Sequence, residues 1–181
     1  MPRQVLYFER PERFVAGTVG QPGERTFYVQ VSAQGRTASV ALEKVQVAVL
    51  AERLSELLEE AARRGGEVPP GPGEPDSDPL EAPVEEEFRV GTMAIAWDAE
   101  SDQVLVELQE AGDADVEPLS DAEEGPDVLR VRLAPEQARG FVERATRVVA
   151  AGRATCPLCE APLDPEGHLC PRLDGYRPPA D

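Results

Sequence analysis

Residues 26–64, TFYVQVSAQGRTASVALEKVQVAVLAERLSELLEEAARR, decide the fold class. Their hydrophobic period changes once. From Thr26 to Ser32 apolar and polar residues alternate, with Phe27, Val29 and Val31 on one face and Thr26, Tyr28 and Gln30 on the other. Successive side chains of a strand point to opposite sides of the pleat, so alternation predicts a strand with one face buried. A turn at Gln34–Gly35 leads into a second alternating stretch, Thr37–Glu43, with Ala38, Val40 and Leu42 on one face. Then the period lengthens. Val47, Leu50, Ala51, Leu54, Leu57, Leu58 and Ala61 recur at spacings of three and four, which predicts an amphipathic helix. Gly65 and Gly66 end it, and Arg63 and Arg64 suit the negative end of its dipole.

Two strands are predicted upstream, over 4–8 and 14–20, the second closed by Gly20, Pro22 and Gly23. Downstream the pattern recurs. Phe88–Asp98 is apolar on both faces, as a central strand would be. Asp102–Gln109 and Val128–Leu133 alternate. Pro135 then opens a helix with an apolar stripe of Ala138, Phe141, Val142, Ala145, Val148 and Val149. Past the strand over 4–8, each half therefore reads strand–strand–strand–helix. The run Phe14-Val-Ala-Gly17-Thr18 matches Phe88-Arg-Val-Gly91-Thr92 in three of five positions. The expectation is an α+β fold: duplicated β-β-β-α halves forming a pseudo-symmetric antiparallel-sheet domain, plus a small C-terminal cysteine-bearing knuckle. Either half alone leaves a sheet face bare, so the two must pack together. A glycine inside a strand predicts a bulge or a close approach of backbone or ligand.

The predicted boundaries are 1–64 for the first half, 65–87 for an acidic Pro/Gly linker, 88–152 for the second half and 153–181 for the tail. Charge supports the division. The 181 residues carry 35 acidic and 18 basic side chains, for a net charge of −17. The linker and a loop at 113–127 hold −15 of it, and neither shows helical or strand periodicity. Proline and glycine density with like-charge repulsion predicts exposed segments. They are solubilising insertions, an acidic ligand for a basic partner, or an internal lid. Such acidity argues against nucleic acid and anionic membrane as partners. The N-terminus lacks the apolar core of a signal peptide and no run is long enough to span a bilayer, so a cytoplasmic protein is expected.

The segment CPLCEAPLDPEGHLCPR holds all three cysteines and the only histidine. Cys156 and Cys159 have C-x-x-C spacing, Cys170 follows eleven residues on, and His168 lies two before it. Thiolates and an imidazole at this density suit tetrahedral zinc. In an extended strand, residues two apart point the same way, so His168 and Cys170 can share one ion. Otherwise Asp164 or a water completes the shell. Four protein ligands leave no open position, so the expected zinc is structural.

With these residues assigned, no histidine or thiol remains for acid–base or nucleophilic work, and the common phosphate-binding and hydrolase motifs are absent. Two other groups are candidates. Arg13 and Arg25, with Gly17 and Gly91, suit a pocket between the halves for a phosphorylated metabolite. Arg130, Arg132, Arg139, Arg144, Arg147 and Arg153 form either a basic strip for a partner or a set neutralised internally.

RFVAGTVGQPGERTFYVQ at 13–30, EEFRVGTMAIAWD at 86–98 and CPLCEAPLDPEGHLCPRLDGY at 156–176 resemble an uncharacterised actinobacterial family, a domain of unknown function. The resemblance implies a cytosolic protein with a metal knuckle at Cys156, Cys159, His168 and Cys170, and no catalytic residues. The expected function is a non-enzymatic zinc-containing adaptor or regulatory protein with a protein partner. The alternative is a small-molecule binding protein or enzyme with a pocket between the halves.

Overall fold

The computed structural model describes residues 2–152, 155–161, 163 and 168–174. Seven strands and two long helices follow in the order β1 (Val5–Glu9), β2 (Arg13–Val19), β3 (Thr26–Ala33), β4 (Arg36–Leu42), α1 (Lys44–Arg63), β5 (Glu86–Asp98), β6 (Gln103–Glu110), β7 (Val128–Leu133) and α2 (Pro135–Ala150). A single turn, α3 (Pro171–Asp174), closes the described chain.

Local chemistry explains the elements. Gln34 and Gly35 both have positive φ, the backbone that a two-residue hairpin with right-handed strand twist requires. The Gln46 side chain accepts the Glu43 backbone N–H at 2.7 Å at the start of α1. Pro135 opens α2, where its missing N–H costs nothing. Val47, Leu50, Ala51, Leu54, Leu58 and Ala61 of α1 are buried, as their spacing predicts.

The sheet order is β1-β7-β6-β5-β4-β3-β2. The pairs β1–β7 and β4–β5 are parallel and the rest antiparallel, which corrects the expectation of a purely antiparallel sheet. For β5 the reason is the segment 64–85: α1 starts beside Val90 and ends beside Trp97, so that segment brings the chain back to enter beside β4 in the same direction.

Two strands change partner along their length. β1 pairs with β7, and after only three residues the same chain continues as β2 and pairs with β3. Arg10 N–H still donates to Arg132, and Glu12 N–H already donates to Ser32. The two edges of the sheet therefore meet at this bend, and the sheet curls on itself. β5 behaves alike. Glu86–Arg89 lies along β4, the register shifts at Gly91, and Thr92–Asp98 lies along β6. Bends and bulges of this kind turn the corners where strands switch sheets.

The inner face carries the core. Phe14, Val29, Val31, Val40 and Leu42 join Val104, Val106, Leu129, Val131 and Leu133, covered by both helices. Phe14 and Phe141 rings meet at 4.7 Å. The outer face is polar but also covered, with Gln30, Ser39, Glu107 and Gln109 buried.

The register corrects one expectation. Counted back from the helix starts, Leu42 corresponds to Leu133, Phe27 to Val104 and Thr18 to Trp97. Gly17 then corresponds to Ala96 and not to Gly91, so the Gly-Thr match of the two halves is five residues out of phase. Element order recurs, but that short motif does not mark equivalent positions.

Candidate metal centre

The chain past α2 builds its site from a turn and a short extended segment. Cys156 N–H donates to Ala161 and Glu160 N–H to Cys156, with Glu160 at φ 60°, so residues 156–161 fold back as a tight knuckle. His168 and Cys170 complete the group, and Arg172 of α3 ties their segment to the knuckle by donating to the Leu158 carbonyl at 2.7 Å. The three Sγ atoms and one imidazole nitrogen lie within 4.8 Å of one another. Cys156 Sγ is 3.8 Å from Cys170 Sγ, and Cys159 Sγ is 3.2 Å from His168 Nε2. The amides of Cys159 and Leu158 point at Cys156 Sγ and hold that thiol below its ordinary value. Cys156 and Cys170 are buried. His168 Nδ1 is buried with no hydrogen-bond partner among the described residues. This group can hold one metal ion, with His168 as the fourth donor among the described residues; Asp164 lies outside them.

The other candidates are placed differently. Arg13 and Arg25 sit at opposite ends of the β2–β3 hairpin. Arg13 is engaged by Asp76 at 2.5 and 2.8 Å. A Cβ on Gly17 would lie 2.6 Å from Leu80 Cγ, and one on Gly91 would lie 2.7 Å from Ala111 Cα. Both glycines thus admit other parts of this chain. The four residues do not converge on a pocket between the halves.

The arginines also separate. Arg130 and Arg132 project from the outer face of β7, away from α2, and pair with Glu107 and Asp98 at 2.8 Å. Arg144 of α2 donates to the carbonyls of Ala16, Asp76 and Asp78, each at 2.6 Å. Arg139 Nε is buried without a hydrogen-bond partner among the described residues, and Arg147 is exposed. Arg153 lies outside the described residues.

Those pairings account for both acidic segments. Residues 74–81 of the expected exposed linker are docked on the body, 74–78 against α2 and the edge strand β2, and 80–81 on the outer face. Leu80 fills the notch at Gly17, and Glu81 accepts from Ser32 at 2.9 Å and Thr37 at 2.6 Å. Gln30 holds the Glu81 backbone on both sides, at 2.8 and 3.1 Å. The second segment covers Glu107. Glu107 accepts from the Leu119 amide at 2.8 Å, Gln109 at 2.9 Å, Arg130 at 2.8 Å and Arg3 at 3.4 Å. Burial pushes this carboxyl up, but the donors outweigh burial and hold it below the ordinary value. Gln30, Ser39 and Glu107 escape the sequence reading. Their only signal is a polar residue at an outward position of a strong strand pattern.

The molecule is thus an α+β protein with a curled seven-stranded sheet, two helices and a C-terminal Cys/His group. The family model described as "Protein of unknown function (DUF3090)" matches residues 6–170, from β1 to the last cysteine of the group, and the chain belongs to that family. No curated protein and no solved structure matches it. No helix among the described residues is long and apolar enough to cross a membrane.

Proposed function

We propose that this chain is a non-enzymatic, zinc-containing adaptor or regulatory protein of the actinobacterial cytoplasm, acting through protein–protein contact. The observation that carries the reading is the four-donor group itself. Tetrahedral zinc with Zn–S bonds of about 2.3 Å sets its sulfurs about 3.8 Å apart, which suits the 3.8 Å between Cys156 and Cys170. Three thiolates and an imidazole saturate a four-coordinate shell, so the metal orders the knuckle and leaves no position for substrate. Such a site supplies roughly 10–16 kcal/mol of apparent binding free energy, enough to hold a tail that buries little else. The partner surface is the knuckle. Leu169 is 84% exposed and Leu158 44%, next to Arg172.

The halves are proposed to be copies of one unit. Each begins with a bent strand whose first part pairs in parallel with the last strand of the other half. Each then runs as an antiparallel meander into a helix.

Two measurements test the reading. Elemental analysis of the full chain is expected to return about one zinc per chain, lost in Cys156→Ser/Cys159→Ser. Crosslinking in cells is expected to capture a stoichiometric protein partner, lost in Leu158→Asp/Leu169→Asp although that variant keeps its zinc. Capture unchanged in that variant, or no partner at all, sinks the adaptor reading.

A further inference from the structure

A cleft of about 520 Å³ lies between the knuckle and the body. Arg25 and Phe27 at the start of β3, Lys44 in the first turn of α1, Val149 at the end of α2, and Thr155 and Glu160 of the knuckle line it. The volume falls within the range of small-molecule sites.

Two cations converge in this cleft. The Arg25 guanidinium lies 5.3 Å over the Phe27 ring, which fixes its orientation. Its Nη1 donates to the Ala151 carbonyl at 2.7 Å, which satisfies the end of α2. Its Nη2 has no hydrogen-bond partner among the described residues. A Cβ on residue 152 would lie 3.5 Å from Lys44 Nζ and 4.0 Å from Arg25 Nη2. Residue 152 is glycine, so no side chain separates the two cations from that point.

The chain has 35 acidic side chains and a single lysine, which is Lys44. Arg3, Arg13, Arg130, Arg132 and Arg144 all have carboxylate partners. Among the described residues neither Arg25 nor Lys44 has one, and Glu160, the one carboxylate of the lining, lies beyond salt-bridge distance of both. Capping one helix carbonyl uses one guanidinium nitrogen and leaves the ammonium unexplained. Two like charges held close repel unless an anion lies between them. A phosphoryl group offers both charge and several acceptor oxygens to a guanidinium and an ammonium together.

We propose that this cleft binds a phosphorylated small molecule. Its phosphoryl group sits beside Gly152 between Arg25 Nη2 and Lys44 Nζ, and its apolar body lies along Val149 and Ala150. The assignment is independent of the partner surface on Leu158 and Leu169, which neither line the cleft nor carry its charge.

Phenyl phosphate titrated into the isotope-labelled, zinc-loaded full chain tests it, with inorganic phosphate and benzyl alcohol as controls. The expected result is perturbation of the amide resonances of Phe27, Val149 and Gly152 by phenyl phosphate, with both controls binding more weakly. Lys44→Ala is expected to weaken binding about tenfold or more, as the loss of one charged contact would. Gly152→Ala is expected to do the same, because its Cβ stands on the phosphoryl position at ordinary contact distances and leaves the fold intact. Binding unaltered in both variants, perturbation confined to other residues, or no perturbation at millimolar probe overturns the proposal. Inorganic phosphate binding as tightly as phenyl phosphate also overturns it, since the apolar wall then contributes nothing.

Discussion

Gln30 and Glu107 stand at the same place in the two halves. Each is the fourth residue along the register from Phe27 or Val104, each points outward, and each is buried beneath an acidic segment. Their cross-strand neighbours, Ser39 and Arg130, also correspond, and each pair is hydrogen-bonded, at 3.0 and 2.8 Å. The chemistry differs. An amide both donates and accepts, so Gln30 completes itself with Ser39 and both sides of the Glu81 backbone. A carboxylate only accepts, so Glu107 must collect donors. It takes two arginines, one with a side chain only 1% exposed. One strap is held by an amide with its charges at the rim, Asp76 against Arg13 and Arg144. The other is held by a charge at its centre. A buried charge is tolerated when its partners are all present and costs heavily when one is removed.

Four substitutions would break or sharpen this contrast. Glu107→Ala leaves the buried Arg3 uncompensated and should cost about 3–5 kcal/mol in denaturant unfolding. Gln30→Ala leaves neutral groups unsatisfied and should cost about 1–3 kcal/mol. Equal losses would end the distinction between a charge lock and an amide lock.

Arg13→Ala removes the bidentate pair with Asp76 at the rim of the first strap. Its expected cost is smaller, about 1–2 kcal/mol, because the pair is part-exposed. Proteolytic cutting within 74–81 should accelerate while cutting within 117–126 stays unchanged. Parallel loosening of both segments would mean that the straps are coupled.

The smallest effect is in acid. Arg132, followed by Ser101 and the Glu100 amide, lowers the Asp98 carboxyl from 3.8 to about 2. A carboxylate favoured in the fold stabilises it at pH above the unfolded value and loses that contribution as pH falls through the folded one. The contribution of Asp98 should therefore disappear between pH 3.8 and about 2. Asp98→Asn should flatten the stability profile in that window. An unchanged profile would show that the pair is silent.

Strand and helix positions were legible because a local period reports which face is apolar. The alternation of 26–32 and the three-and-four spacing from Val47 to Ala61 reappear as β3 and α1. The Cys/His group was legible because four donors fall within fifteen residues and little else in that tail is reactive. The Gly17-Thr18 and Gly91-Thr92 match misled because a five-residue coincidence carries no register. Register is set by cross-strand pairing back from the helices. The fate of the acidic segments was hidden for a related reason. Asp76 finds Arg13 and Arg144 across separations of 63 and 68 residues, and no local pattern encodes such a meeting.

The sequence by itself determined the elements, their order and the donor group, since each depends on residues close along the chain. Only the tertiary structure decided that the sheet bends at Arg10–Glu12 and Gly91, that both acidic segments dock on the body, and which arginines they occupy. The physical reason is that a buried charge is costly without a partner, and Arg3, Arg13 and Arg144 find theirs 104, 63 and 68 residues away.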